Sequence, residues 1–414
     1  MMFDVNSLRE QFPSLNRTRV PAARPAIFLD GPGGTQVPQC VVEAMVHYLT
    51  TCNANHGGVF ATSRESDAIL HEAHQAAADL LNAPSAEEII FGPNMTTLTF
   101  HLSRAFGRTL RPGDEMLVTR LDHDANVRPW VLAARDAGAT VHFVDIHPED
   151  CTLDLDHLRR LLSPRVRLVA VTCASNAVGT VTDVRLITRL AHEAGALVFL
   201  DAVHYAPHRL IDVQDWDCDF LACSAYKFFG PHVGILWGKQ EHLHGLPAYK
   251  LRPATDDLPG RWMTGTQNHE GLAGTAAAID YLASIDPSAE RTSSRRQRLE
   301  RAFHRIEDYE RTLAECLLDG LRSRPRFRVL GITQRERLSE RVPTVSITTA
   351  EHTPQQIAEH LAKREIYAWN GNMYALELTE CLGLEEHRGL LRLGLVHYNT
   401  TEEIDALLQA LDEL

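Results

Sequence analysis

The sequence predicts an α/β protein: a large domain on a mostly parallel, seven-stranded sheet, followed by a smaller α+β C-terminal domain. Two observations lead there. Between about residues 85 and 240, short β-branched apolar runs alternate with amphipathic helical stretches, the pattern of strands covered on both faces by crossover helices. Beyond about residue 280, a long charged helical stretch gives way to short strands mixed with helices. The expected divisions are an N-terminal segment, 1–27, packing with the small domain, a large domain, 28–280, and a small domain, 281–414.

The strands are expected at Glu88 to Phe91, Met116 to Thr119, Val141 to Val144, Leu168 to Thr172, Leu197 to Leu200 and Phe220 to Cys223. Gly234 to Trp237 reads as an antiparallel addition. Among the helices between them, Val184 to Glu193 stops at Gly195, a glycine stop signal, and Thr97 to Phe106 follows the first strand. The C-terminal region predicts a helix from Ala289 to Arg322 and strands at Phe327 to Leu330 and Val345 to Ile347. A helix from Thr353 to Arg364, a strand at Leu390 to Gly394 and a helix from Thr401 to Leu411 complete it.

Composition narrows the function classes. With 41 Lys plus Arg against 54 Asp plus Glu, the chain has a net charge of -13, so it lacks the cationic surface on which nucleic-acid binding depends. The basic stretch from Arg291 to Arg305 carries no interleaved aromatics and reads as one face of a charged helix. No apolar run approaches the roughly 20 residues of a membrane span, and the first residues show no basic-then-apolar leader. Eight scattered cysteines without a C-x-x-C pair fit free thiols in a reducing cytoplasm.

In a sheet of this kind, ligands sit at the carboxyl ends of the strands, and polar residues gather there. Lys227 follows the run ending in Cys223-Ser224, and Asp201 ends the neighbouring run. A lysine amine beside a buried-type carboxylate is what pyridoxal 5'-phosphate (PLP) needs: the amine forms the Schiff base and the carboxylate keeps the pyridine nitrogen protonated. Taken singly, Lys227 could be a surface lysine and Asp201 a helix cap. His123, at another strand end, is placed to stack flat on a cofactor ring. Met95 and Thr96 stand where a strand turns into a helix, whose free N–H groups suit a phosphate. Asn176 is suited to hydrogen-bond a phenolate oxygen. By contrast, Gly31-Pro32-Gly33-Gly34 lacks the G-x-G-x-x-G spacing of a dinucleotide loop. His71-Glu72-Ala73-His74 misses the i, i+4 histidine spacing of a metal helix and reads as an exposed helix face.

At these residues the chain resembles the class V aminotransferases, fold-type I PLP enzymes, in their cysteine desulfurase and selenocysteine lyase branch. The resemblance runs from about Phe28 to the C-terminus. It rests on Asp122-His123 with Ala125-Asn126, Ser175-Asn176 with Gly179-Thr180, Asp201-Ala202, Ser224 to Lys227 with Gly230-Pro231, Gly265-Thr266, Arg392 and Tyr398-Asn399-Thr400. It implies Lys227 as the Schiff-base lysine, Asp201 as the pyridine partner and His123 as the stacking residue, these three being catalytic. Asn176 would meet the cofactor hydroxyl and the substrate, and Thr96 and Ser224 the phosphate. Thr266 would reach the phosphate from the partner subunit of a homodimer. Arg392 would grip the carboxylate of a small amino-acid substrate.

The chain departs from that pattern at several points. His204 stands where desulfurases commonly have glutamine, and Tyr226 where they commonly have histidine. His56 stands where lyase-like members have arginine. The loop Trp369 to Ala375 holds Tyr374 in the slot of the nucleophilic cysteine that accepts sulfur. His204 and Tyr226 are accordingly expected at the cofactor, and His56 and Tyr374 at the substrate. The expected reaction is Cα deprotonation followed by lyase chemistry without a persulfide cysteine. Transamination and epimerisation on the same fold are the alternatives, and a non-catalytic PLP-binding module is a more distant one.

Overall fold

The apolar runs form one sheet. The computed structural model describes residues 3–17, 25–288, 292–386 and 388–414. Its central sheet comprises β1 (Ile89–Gly92), β2 (Glu115–Thr119), β3 (Thr140–Val144), β4 (Val166–Thr172), β5 (Leu197–Asp201), β6 (Phe220–Ser224) and β7 (Gly234–Gly238). The spatial order is β1-β7-β6-β5-β4-β2-β3. β2 to β6 run parallel, and β7 is antiparallel to both of its neighbours. The runs are apolar throughout because successive residues point to opposite faces and both faces are covered. Leu117, Val169, Val198 and Leu221 pack into one core, and Met116, Leu168, Phe199 and Phe220 into the other.

A second, antiparallel sheet of four strands has the order Arg328–Leu330, Thr344–Thr348, Leu390–Gly394, Trp369–Gly371. It packs with the helices Pro354–Ala362 and Thr401–Asp412 around its own core, which includes Val345, Ile347, Leu391, Leu393, Ile357 and Leu407. The strand Trp369–Gly371 and a small hairpin, Ile146–His147 with Thr152–Leu153, carry too little apolar pattern for the sequence to announce them.

Helix Arg295–Arg322 joins the two cores. Leu299, Ala302, Phe303 and Ile306 pack with the large sheet, whereas Leu313, Leu317, Leu318 and Leu321 pack with the small one. It starts later than expected from Ala289, because Ser294 and Gln297 close a capping box there, which satisfies otherwise orphaned N–H groups. Residues 289–291, with Arg291 of the basic stretch, lie outside the described residues. Arg295 pairs with Glu72, Asp79 and Asp280, and Arg296 with Asp212 and Glu300. Among the described residues, no helix is long and apolar enough to cross a membrane.

One expectation from the sequence is corrected here. His74 is buried and stands edge-on to Phe91, so its stretch of helix Ala61–Leu81 is core on that side and solvent on the side of His71. Burial holds the His74 imidazole down to about 4, neutral at physiological pH. Phe28, placed at the start of the large domain, pairs with Tyr367 in a short parallel ladder with Ile27 and Ile366.

The N-terminal segment wedges into the junction. Phe12 is fully buried, and its ring stands edge-on to Phe229, Tyr281, His397 and Tyr398. Those four rings come from the lysine loop, helix His269–Ala283 and the turn after the last small-sheet strand. Removing an aromatic side chain from such a position costs about 3–5 kcal/mol. Phe12→Ala should therefore lower the denaturant midpoint of unfolding by a corresponding amount, whereas substitution of exposed Gln11 should leave it in place.

Candidate active site

The register of the sheet brings chemistry to one edge. Thr172 pairs with Asp201, Asp201 with Ala222, and Ser224 with Gly234. Three strands thus end level at a cavity of about 880 Å³. Met95, Thr96, His123, Asn176, Asp201, His204, Ser224, Tyr226, Lys227, Tyr374 and Arg392 all line it. His56 and Thr266 do not. Both are exposed on the surface of the single chain; the His56 ring lies 6.1 Å from that of His269, and Thr266 lies three residues before His269. The sequence-based placement of His56 at the substrate therefore does not hold within one chain.

Lys227 closes a single 3-10 turn, Ala225–Lys227, directly after β6. Its Nζ donates to the carbonyl of Pro32 and lies 4.8 Å from the centre of the Tyr226 ring. Burial, reinforced by the nearby Arg392 guanidinium, brings the Lys227 amine down to about 7, because loss of solvent and a like charge both disfavour the ammonium form.

Asp201 is buried and accepts a 2.9 Å hydrogen bond on Oδ1 from the N–H of Val203. It has no ion-pair partner among the described residues, and burial raises it to about 6. Behind it, Asp122 accepts hydrogen bonds from Thr119 and Asn126, and burial lifts its carboxyl to about 8. His123, in the next position, is brought down to about 4 by burial and by Lys227, so it presents a neutral, flat ring. The Tyr374 ring stacks on it, with centroids 5.4 Å apart and planes 15° from parallel.

The small sheet supplies the opposite wall. Arg392, buried on strand Leu390–Gly394, donates through Nη1 to the Asn176 carbonyl at 2.9 Å, while its buried Nε has no hydrogen-bond partner. The Asn176 side chain donates to Met373 O at 2.8 Å, and its Oδ1 is likewise buried and unpartnered. His204 Nε2 is 2.9 Å from the Thr344 hydroxyl. Burial, with the neighbouring His208 adding to it, holds the His204 imidazole well below its usual range, so it is neutral. Ser224 accepts a 3.0 Å hydrogen bond from the N–H of Met95, which ties the end of β6 to the first residue of helix Met95–Gly107.

The sequence reading passed over a third wall. The turn Gly31–Gly33 lacks the spacing of a nucleotide loop, yet its Pro32 and Gly33 line the cavity. A side chain at Gly33 would run into the Trp369 indole, which also lines the cavity. Asp30 leads into that turn with a buried, unpartnered Oδ1. Burial raises it to about 6, opposed by its own backbone N–H and by Arg392 and Lys227. A carboxylate after an apolar strand and before a glycine turn was the available signal. His232, exposed at the cavity wall, had no sequence signal beyond lying five residues after Lys227.

The residues fit PLP. Asp201 is a buried carboxylate that lacks a cationic partner, and a protonated ring nitrogen is such a partner. Asn176 and Arg392 expose orphaned buried polar atoms to the same space. A lysine amine poised near neutrality is a nucleophile for an aldehyde, and a helix N-terminus backs Thr96 and Ser224 where a phosphate would sit.

The chain is similar to known proteins along nearly its whole length. The class-V aminotransferase family profile matches residues 27–407. The chain is 34% identical to the aminotransferase-like protein FGM3 of Gibberella zeae, over 99% of this chain and 98% of that protein. It is 30% identical to a cysteine desulfurase of Serratia proteamaculans, over 100% of this chain and 99% of the other. The crystal structure of the cysteine desulfurase CsdA from Escherichia coli superposes with a TM-score of 0.85 at 28% identity, covering 100% of this chain and 98% of that one. The chain belongs to the class V aminotransferase family and is a PLP-dependent enzyme.

Proposed function

We propose that this enzyme is a lyase that cleaves a small amino acid at Cβ, by β-elimination or C–S cleavage, without passing sulfur to a cysteine of its own. The observation that carries this reading is the pairing of a cavity whose residues fit PLP with Tyr374 at its mouth. Among the described residues no cysteine lines the cavity, and Cys381, on helix Leu376–Cys381, is exposed outside it.

Lys227 would anchor PLP, Asp201 would face its ring nitrogen, His123 its ring face and Asn176 its hydroxyl. Met95, Thr96 and Ser224 would hold the phosphate, with Tyr226 and His204 completing the surround. Bound PLP supplies an electron sink that makes the substrate's Cα acidic. The rest is the chain's own work. Arg392 offers a planar fork of N–H donors, the geometry that recognises a carboxylate, and its burial strengthens that grip. Lys227, whose burial brings the amine down to about 7, can take the proton from Cα as general base. Tyr374 covers the outer face of His123, and a phenol does not accept sulfur, so the cleaved group leaves through the mouth.

A homodimer forms part of the same reading. Val42, Val46 and Leu49 make an exposed apolar stripe, with Val59 and Phe60 exposed nearby in sequence, and Thr266 and His56 are free to reach a second copy's cavity. Five of the eight cysteines are buried free thiols, which suits a reducing cytoplasm.

Three measurements test the proposal. Wild type with added PLP should be yellow and Lys227→Ala colourless; a colourless wild type would remove the cofactor from the account. The rate at which cofactor-free protein captures PLP should rise with pH through about 7, because the protonated amine cannot attack the aldehyde. A midpoint near the ordinary lysine value of 10.5 would contradict the buried setting of the amine. Finally, a panel of amino acids with and without an α-keto acid should give pyruvate and a released thiol from a cysteine-like substrate. Amino transfer to the keto acid would instead show a transaminase, and racemised substrate an epimerase.

A further inference from the structure

The roles assigned above leave one imidazole at the cavity wall without a part. His232 lines the cavity on an exposed turn. Its ring lies 5.0 Å from that of Tyr226, with planes 20° from parallel, and Tyr226 carries Lys227 Nζ near its own ring. The turn has little freedom to stand elsewhere. Two residues on, Gly234 is held between Gly92 and Ser224 as the register partner of both. A side chain at Gly234 would collide with the backbone of Asn94, and Asn94 caps helix Met95–Gly107 by accepting from the N–H of Thr97 at 2.9 Å.

His232 is thereby brought to the end of the cavity where the helix N-terminus, Thr96 and Ser224 gather. That end favours an anion through its backbone N–H groups and helix dipole, but Asn94, Met95, Thr96, Thr97 and Ser224 bring no basic side chain to it. The cavity's Lys and Arg side chains bond at other walls, Lys227 to the Pro32 carbonyl and Arg392 to the Asn176 carbonyl. Tyr226 stands where the resemblance has a histidine, and here an imidazole lies one ring away instead.

We propose that His232 donates an imidazole N–H to the phosphate of the bound cofactor, held at the correct pitch by stacking on Tyr226. The assignment rests on the PLP reading and adds to it a residue that discriminates phosphorylated from unphosphorylated cofactor. Among the described residues, His232 has its ring contact with Tyr226 and no side-chain hydrogen bond or ion pair, so its removal acts on the ligand.

The test compares PLP with pyridoxal, which has the same ring and aldehyde but no phosphate, titrated into the cofactor-free full-length protein and followed by tryptophan fluorescence. His232→Phe keeps a ring to stack on Tyr226 and removes the donor, and His232→Gln keeps an N–H without the ring. Phe should weaken PLP binding about tenfold or more, the worth of one hydrogen bond to a charged group, and leave pyridoxal binding unchanged. Gln should recover part of the loss. PLP bound by His232→Phe as tightly as by wild type would overturn the assignment, as would an equal loss for PLP and pyridoxal. A wild type that takes up neither compound would instead overturn the cofactor reading, and this assignment with it.

Discussion

The loop 176–181 is tied to the small sheet carbonyl by carbonyl, and the cavity exists because of that seam. Arg392 donates to Asn176 O, Ser346 to Ala177 O and Arg341 to Val178 O. The N–H of Val342 reaches Gly179 O at 2.9 Å, and that of Val181 reaches Glu340 O at 2.8 Å. Gly179 has φ of +79°, and a side chain there would strike Thr344 O, so only glycine lets the two backbones meet this closely. Loops at the carboxyl ends of parallel strands are ordinarily free to follow their own turns. Here one is built into a second sheet, which sets Arg392 at the cavity that Lys227, Asp201 and His204 line from the large sheet.

Closing the cavity in this way puts charges where solvent cannot screen them. Burial brings Arg392 down to about 10 and Lys227 to about 7, while Asp201 and Asp30 rise to about 6. Each group is displaced toward its neutral form, as expected when desolvation outweighs the neighbouring opposite charges. Arg341 is buried as deeply, but it spends its N–H groups on carbonyls of Ile332, Val178 and Thr344 and is structural. Arg392 instead makes one such bond, from Nη1 to Asn176 O, and has an unpartnered buried Nε. Two buried guanidiniums thus fall into different roles on hydrogen-bond accounting alone, the second keeping donor capacity in reserve for an anion.

How much of this was legible in the sequence follows from where each residue's position is decided. Lys227, Asp201, His123 and Ser224 end apolar strands, and a parallel sheet sends every such end to the same edge, so local pattern sufficed. Arg392 came from the family resemblance, since a strand in a small sheet gives no hint of what it faces. Asp30, Trp369 and His232 owe their places to close approaches between distant segments: Gly33 against Trp369, and Gly234 against Asn94. Those glycines were visible, but their partners were not. His74 was misread because a helix face at the edge of its apolar stripe is buried or exposed according to what packs on it, here Phe91. The start of the long helix was placed early, since charged residues before Ser294 continue the helical composition and only the cap ends it.

The loop that bears Tyr374 shows the same dependence on distant partners, and it bears on the chemistry. Met373 and Tyr374 have φ of +57° and +55°, two successive non-glycine residues in the left-handed region, each costing about 1–2 kcal/mol. Such a turn persists only when its surroundings over-determine it, and here they do. Asn176 donates to Met373 O, the N–H of Asp124 donates to Tyr374 O at 2.7 Å, and Asn372 Oδ1 accepts from the N–H of Tyr374 at 3.1 Å. Just beyond, Arg120 holds Glu377 at the start of helix Leu376–Cys381. A strained loop held by several partners keeps its side chain in one place. This one is bonded on both sides to the loops that hold His123 and Asn176, and its phenol is stacked on the first of them. It acts as a fixed wall of the cavity, and under the proposed lyase reading the cleaved fragment is released and not passed to this loop.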